Sequence, residues 1–577
     1  MAGSPSDGAP GLRRLQNSWP SWATYVLPLL IISWARPAGI DEVIVMLSGV
    51  IIGLTHWFLS PLTTSVFLLG SGQIIALANA EKIRDTGDAI LWQDLLYAVP
   101  NFSGNLGTVW QYIGLSGMLV GAMAAGALLL TKAMEKRYLK RSFPIGVGYS
   151  AAMLLFYLPA TADYLRDVAA DMGKFRENAK NFAGNLYTHS FARFLHSATL
   201  KPAEFQSTGG NPALFANLSA RLKVAAPAAD ASPAPDIFVI LNESQFNPSQ
   251  IAGCMPKQDC SMALYEDGRN SVLRGPLKVH THGWGTWNAE FTLMTGVPHF
   301  WFGDSGFYSA YTTAPRIQMG LAKHLGSLGY RTIGIYPTQK GMLNAAQAYR
   351  RYGIQEFHGA EDLDLSWDWC NIPDRLMYEK LLEKYQLARE EDTRPIFMVM
   401  LTVFNHGPHG QRCMDQQLAD ALGSDTSPQV AKLKDYLHRS KAADLASAEF
   451  RSEILALPRR TLLLFAGDHQ PSFEGLASSY PRQMHRLMPV SDTLLFTNYH
   501  FFANYEGSTS MHAGGRYHEL DISFLASTLL ELAALPLGRL FQPNIQLREL
   551  CGGRLDSCST AIVDSYKSNL MQVGFYQ

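Results

Sequence analysis

The chain has little cysteine, and none in its first 253 residues. Six cysteines occur in 577 residues: Cys254, Cys260, Cys370, Cys413, Cys551 and Cys558. An even number confined to one part fits an oxidising compartment for that part. Cys254/Cys260 and Cys551/Cys558 are near enough in sequence to close small disulfide loops. Charge is sparse too, at 17% of residues with a formal net charge of −1. No global basic field exists to draw a polyanion, which excludes nucleic acid as an electrostatic partner. Charge is missing altogether from Val109 to Leu130. There is no internal repeat.

The apolar residues are unevenly spread. Runs at roughly 21–35, 43–58, 61–79, 109–131 and 143–160 follow one another. A spanning helix needs about 20 mostly apolar residues, and several runs in succession argue against a cleaved signal peptide. Lys132, Lys136, Arg137, Lys140 and Arg141 crowd the connection between the last two runs, which places that connection in the cytoplasm. Counting back, residues 1–20, with Arg13 and Arg14, are cytoplasmic as well. Residues 21–160 then form a transmembrane domain of about five helices, and everything after about residue 160 lies outside the cytoplasm. The cysteine distribution leads to the same side independently.

Residues 161–235 connect the two halves. Tyr164, Leu165, Val168, Phe182, Leu186, Phe191 and Phe194 space an apolar stripe along juxtamembrane helices. Residues 224–235 are rich in Pro and Ala and read as a semi-rigid linker. A catalytic domain is expected over 236–577. Ile237–Leu241, Thr332–Tyr336, Ile396–Leu401 and Leu462–Phe465 are continuous apolar runs, as in parallel strands covered on both faces. Helical patterns at 316–328, 374–389, 428–440 and 521–534 alternate with them. That order predicts an α/β sandwich, whose ligands bind beyond the carboxyl ends of the strands.

Three short stretches carry chemistry. Asn242-Glu243-Ser244 and Gly467-Asp468-His469 each close an apolar run. Between them, Trp284-Gly285-Thr286-Trp287 offers a hydroxyl in a Gly-flanked turn. A threonine hydroxyl stays protonated near neutral pH and needs a base or a cation to become a nucleophile. A divalent cation also polarises a phosphoryl oxygen. Glu243, Asp468 and His469, with Thr286, supply an oxygen-rich ligand set with one nitrogen, which favours Mn²⁺ or Zn²⁺ over Mg²⁺. The reading is phosphoryl- or sulfuryl-group chemistry. His406, in Thr402-Val403-Phe404-Asn405-His406-Gly407-Pro408-His409, could bond a phosphoryl oxygen or protonate a leaving group. His409 reads as a surface or supporting residue. His280 and His282 read as incidental rather than as a second metal site.

These residues resemble the lipoteichoic acid synthase and phosphoglycerol transferase branch of the alkaline phosphatase/sulfatase superfamily. The resemblance rests on Glu243 after a strand, on Gly285-Thr286 with Glu290-Phe291, on Gly467-Asp468-His469, and on Asn405-His406. The segment from Lys82 to Leu95 also resembles a connection in that family's membrane half. The resemblance implies a five-span helical membrane domain with an α/β sulfatase-like extracytoplasmic domain in a bacterial plasma (inner) membrane. It implies Thr286 as nucleophile, one divalent metal, and His406, Asn344, Trp284 and Glu290 at the substrate. The donor would be a membrane phospholipid and the acceptor a glycan or polymer. Two departures matter. Met342-Leu343-Asn344-Ala345 stands where the family often has Phe-Trp-Asn-Arg, and Gln470-Pro471-Ser472-Phe473 differs from the synthase pattern. Phosphoglycerol is the expected head group, with phosphoethanolamine the alternative. Further alternatives are a sulfatase-like phosphodiesterase or hydrolase and a catalytically inactive membrane scaffold. A true sulfatase would need Cys-x-Pro-Ser/Ala-x-Arg, and Cys254-Met255-Pro256-Lys257 supplies only its first half.

Overall fold

A computed structural model describes residues 209–215, 233–250, 260–366, 369–410, 414–423, 426–472, 494–505 and 518–577, with a few positions between 82 and 98 and residue 151. The five apolar runs and most of 161–235 lie outside the described residues. Among the described residues no helix is long and apolar enough to cross a membrane. The chain divides into two compact units, 1–83 with 87–198, and 84–86 with 199–577. In the first, Asp94 accepts from Lys82 Nζ at 2.7 and 2.8 Å and from the Leu91 N–H at 2.6 Å. This contact lies inside the segment likened to the family's membrane half.

The second unit is built on one eight-stranded sheet of order β4-β3-β5-β1-β6-β7-β2-β8. Its strands are β1 Asp236–Asn242, β2 Ser271–Lys278, β3 Arg331–Ile335, β4 Glu356–His358, β5 Ile396–Leu401, β6 Thr461–Gly467, β7 Phe496–Ala503 and β8 Leu520–Asp521. From β4 to β6 all neighbours are parallel. β7 runs antiparallel to both β6 and β2, and β8 parallel to β2. The four apolar runs fall in β1, β3, β5 and β6. All residues of β1, β5 and β6 are buried, as strands covered on both faces must be. β2, β7 and β8 escape such a reading. Arg274, Gly275 and Pro276 interrupt β2, and Asn498 and His500 interrupt β7.

The helices that matter below are α1 Thr286–Thr295, α2 Ala345–Tyr352, α3 Asp374–Glu391, α4 Pro428–Leu455, α5 Leu525–Leu532, α6 Gly538–Leu550 and α7 Thr560–Gln572. α3 begins where the pattern predicts, behind Pro373. α4 begins at Pro428 but runs to Leu455, well past 440. Its second half buries Phe450 and Ile454 against Tyr378 and Leu381 of α3 and Phe465 of β6. Tyr378 and Phe450 stack at 4.6 Å. Each such buried side chain contributes about 1.5–3 kcal/mol.

Two contacts mark how the chain enters this unit. Asp236 is buried at the start of β1 and accepts from Tyr385 Oη, Ile396 N–H and Arg459 Nε at 2.8, 2.8 and 2.9 Å. Upstream, residues 209–215 dock on α7. The Asn211 N–H donates to Ser565 Oγ at 3.1 Å, and Phe215 meets Tyr566 edge-on at 5.4 Å. Part of the stretch assigned to the connection therefore packs within the second unit.

Candidate active site

Strand register brings the two acidic residues together. β1 and β6 are neighbours with Asn242 opposite Gly467, so Glu243 and Asp468 each follow directly from one of two paired strand ends. Gly467 is needed for this approach, since a Cβ there would lie 1.9 Å from Gln245 O. Asp468 Oδ1 accepts the N–H groups of Ser244 and His469, both at 2.7 Å. Its Oδ2 is thereby turned to the centre of the site. Ser244 Oγ donates to Glu243 Oε1 at 2.7 Å, and the Glu243 N–H donates to Thr402 Oγ1 at 3.1 Å. His469 Nδ1 lies 3.0 Å from Gln470 O. A carbonyl only accepts, so Nδ1 carries the proton and Nε2 presents its lone pair.

Thr286 is the first residue of α1 rather than part of a free turn. Gly285 precedes it with φ of 90°, in the left-handed region. A side chain there would also press on Thr281 Cγ2 at 3.2 Å. The Thr286 hydroxyl lies 2.7 Å from Asp468 Oδ2 and 3.3 Å from both Glu243 Oε2 and His469 Nε2. The first N–H groups of a helix lack intrahelical acceptors, so this helix end favours negative charge on the threonine oxygen. The rest of α1 is buried, which fixes the hydroxyl in place.

Glu243, Asp468 and His469 have ligand atoms within 4.8 Å of one another. His469 Nε2 is 3.2 Å from Asp468 Oδ2 and 3.8 Å from Glu243 Oε1. Burial, then the Asp468 charge, push the Glu243 carboxyl well above its ordinary range. Two buried carboxylates aimed at one point repel unless a cation lies between them. The donor set therefore fits a divalent ion held by both acids, the imidazole and the threonine oxygen.

Residues 235–517 match the family model described as Sulfatase. The chain carries a sulfatase-family domain. Among solved structures it is similar to the Streptococcus pyogenes phosphoglycerol transferase in complex with sn-glycerol-1-phosphate, at 17% identity and TM-score 0.47 over 65% of this chain and 99% of that one. It is also similar to the lipooligosaccharide phosphoethanolamine transferase A of Neisseria meningitidis, at 12% identity and TM-score 0.49 over 92% of this chain and 94% of that one. An uncharacterized protein of Haemophilus influenzae is 27% identical over 349 residues, 59% of this chain. The match spans 61% of the length of that curated relative.

Within this sulfatase-family domain the other expected site residues separate. Trp284 is half-buried two residues before Thr286, against Phe307 at 4.7 Å and edge-on to Trp287 at 5.2 Å. His406 is half-buried, with Nδ1 2.7 Å from Gly407 O. Burial pushes its imidazole down to about 4, His469 and Arg439 act in the same direction, and the Gly407 carbonyl opposes them. His406 is therefore neutral at pH 7, with its lone pair on Nε2. Asn344 has a left-handed backbone and donates from Nδ2 to Ala310 O at 2.8 Å. Glu290 is one turn beyond Thr286 but buried beneath the site, where Oε1 accepts from Tyr349 Oη at 2.7 Å. In this structure its carboxylate is turned inward and braces α1 against α2. His409 is not a surface residue either. It is buried, with Nε2 2.9 Å from Asn405 O. His280 is committed to Asp521 Oδ2 at 2.6 Å.

Sequence reasoning gave no role to Ser244, Gln470 and Thr402, the hydrogen-bonding partners of Glu243, Asp468 and His469. Their adjacency to strand ends was visible, but their pairing depends on which strands are neighbours.

Proposed function

We propose that this protein is a membrane-anchored, metal-dependent transferase that moves a phospholipid head group to a glycan or polymer acceptor through a phospho-Thr286 intermediate. The observation that carries the reading is the Thr286 hydroxyl, within 3.3 Å of two carboxylates and an imidazole at a helix amino terminus. A bound Mn²⁺ or Zn²⁺ supplies charge that stabilises an alkoxide and polarises a phosphoryl oxygen. Thr286 Oγ attacks phosphorus, the bond to the diacylglycerol oxygen breaks, and the threonine proton ends on that oxygen. The acceptor hydroxyl then attacks, the P–Oγ bond breaks, and the acceptor proton returns to Thr286. His406 Nε2, neutral at pH 7, is suited to take the acceptor proton as that bond forms.

The multi-pass anchor holds the domain on the extracytoplasmic side of a bacterial plasma membrane, beside its lipid donors. Phosphoglycerol is the first head group to test. Phosphoethanolamine is the second, because Met342-Leu343-Asn344-Ala345 lacks the family's Trp and Arg. Water in place of the acceptor would make the same site a hydrolase.

The full chain, in detergent with Mn²⁺, is incubated with phosphatidylglycerol or phosphatidylethanolamine labelled in the head group. Label is expected on the Thr286 peptide by mass spectrometry. Absence of label from both lipids, with unchanged lipid turnover in Thr286→Ala, would sink the proposal.

A further inference from the structure

The loop between β5 and α4 is held by a buried ion pair outside the metal ligand set. Asp435 and Arg439 stand one turn apart on α4, and both are buried. Arg439 Nη2 lies 2.7 Å from Asp435 Oδ2. The rest of the guanidinium fork is turned to loop backbone. Nη1 donates to Phe404 O and His406 O, both at 3.0 Å, and Nη2 to Pro408 O at 3.2 Å. Asp435 Oδ2 also accepts the Gly410 N–H at 2.9 Å. One side-chain pair thus gathers four backbone groups between residues 404 and 410.

From the other side, Asp374 of α3 accepts from the Phe404 N–H and the Thr402 hydroxyl. Thr402 Oγ1 in turn accepts the Glu243 N–H at 3.1 Å. The loop is therefore braced between two helices and tied to the metal centre. Burying an Arg–Asp pair adds little net stability, because desolvation offsets the attraction. The loop also holds the Asn405 carboxamide buried with no hydrogen-bond partner at either atom, which is itself unfavourable. What the pair does supply is geometry. A planar fork reaches several carbonyls at fixed angles, which a lysine ammonium cannot do.

We propose that Arg439, oriented by Asp435, is a positioning residue for the transfer step. It fixes the main chain on both sides of His406 and so sets where the imidazole stands, within electrostatic reach of His469. The ring also bonds Gly407 O within the same loop, so a shift of the loop is felt at the ring. The catalytic part of this inference rests on the head-group-transfer reading above.

The test uses the full chain in phospholipid nanodiscs and four forms: wild type, Arg439→Lys, His406→Ala and the double variant. Single-turnover experiments follow label from phosphatidylglycerol and phosphatidylethanolamine onto Thr286 and off it again. Arg439→Lys is expected to slow departure of the label by about 10²-fold, the scale of a misplacement of about 1 Å, with KM for lipid unchanged. In the His406→Ala background the same substitution is expected to cost nothing more. Independent losses that multiply in the double variant, or wild-type kinetics in Arg439→Lys, would overturn the proposal. A second readout needs no activity. Hydrogen exchange at Gly410 N–H should quicken at least tenfold in Arg439→Lys, with β1 and α1 unchanged. Unchanged exchange at Gly410, or loosening spread over the whole domain, would refute the clamp. If even wild type takes no label from either lipid, the transfer reading fails while the exchange result still judges the clamp.

Discussion

The parallel half of the sheet and its antiparallel edge furnish the same site in opposite ways. On the parallel side Glu243 and Asp468 are the residues next after β1 and β6, and His406 follows β5 closely. The positions of Glu243 and Asp468 are dictated by strand register. On the edge side Thr286 arrives after β2 through residues 279–285 and is held at the head of α1. Its position depends on braces. Lys278 pairs with Asp556 at 2.6 Å, His280 with Asp521 at 2.6 Å, and the Asp521 N–H bonds Gly553 O at 2.9 Å. The segment carrying Gly553 and Asp556 is closed by the Cys551–Cys558 disulfide. The acceptor groups are placed by the sheet itself, and the hydroxyl by a cross-linked frame. Thr286 and the two carboxylates can therefore be perturbed separately.

The sharpest separation is Thr286→Ala. Transfer is expected to fall by roughly 10⁴-fold or more, as when a nucleophile is removed, while the purified protein, left with Glu243, Asp468 and His469, keeps a reduced but measurable metal content. The mirror image is Glu243→Gln or Asp468→Asn. Metal content should drop by elemental analysis, labelling of Thr286 should vanish, and α1 should keep its exchange protection. If Thr286→Ala also emptied the metal site, the two halves would not be separable and the comparison would fail.

A smaller effect is expected at Gly467→Ala. The added methyl meets Gln245 O and Thr497 Cβ, and overpacking of this kind costs about 1–3 kcal/mol. Thermal unfolding should report that loss together with weakened metal binding. On the edge side, replacing both Cys551 and Cys558 by alanine should cost about 2–3 kcal/mol for so short a loop. Labelling of Thr286 should suffer more than metal binding. An equal loss of both would show that the frame supports the whole site.

The gentlest test is titration. Burial pushes Glu290 up to about 8, against the Tyr349 hydrogen bond and with a further upward push from Asp468. The folded state then holds a proton that the unfolded chain releases near the ordinary carboxylate value of 4.5. The unfolded state binds fewer protons between those values, so this group's stabilising contribution is lost as pH rises through about 8. The melting temperature of Glu290→Gln should depend less on pH from about 5 to 8 than that of wild type.

The clustering of Glu243, Asp468 and His469 was legible in the sequence because these residues directly follow strands with plain apolar signatures. β1 and β6 are continuous buried runs, and Glu243 and Asp468-His469 stand at their ends. The antiparallel edge was not legible. β2 carries Arg274, Gly275 and Pro276, and such a run does not look like a sheet strand until β7 and β8 are beside it. The fate of Glu290 was hidden for a related reason. Its spacing places it one helical turn from Thr286, but whether that turn faces substrate or Tyr349 depends on α2 packing there. The same holds for Asp435 and Arg439. Their i, i+4 spacing suits an exposed helix pair, and only the loop lying over α4 makes it a buried clamp.

Local chemistry and short-range pattern are properties of a sequence. The amino acids alone therefore determined an α/β domain with acids and an imidazole at strand ends, a hydroxyl behind a glycine, and cysteines confined to the chain after residue 253. Neighbour relations between distant segments are decided by packing. Only the tertiary structure settled that β1 lies beside β6, that Thr286 opens a buried helix 2.7 Å from Asp468, and that Glu290 turns inward. Those outcomes depend on sheet order and on which faces bury each other, and neither is written in any one stretch of the chain.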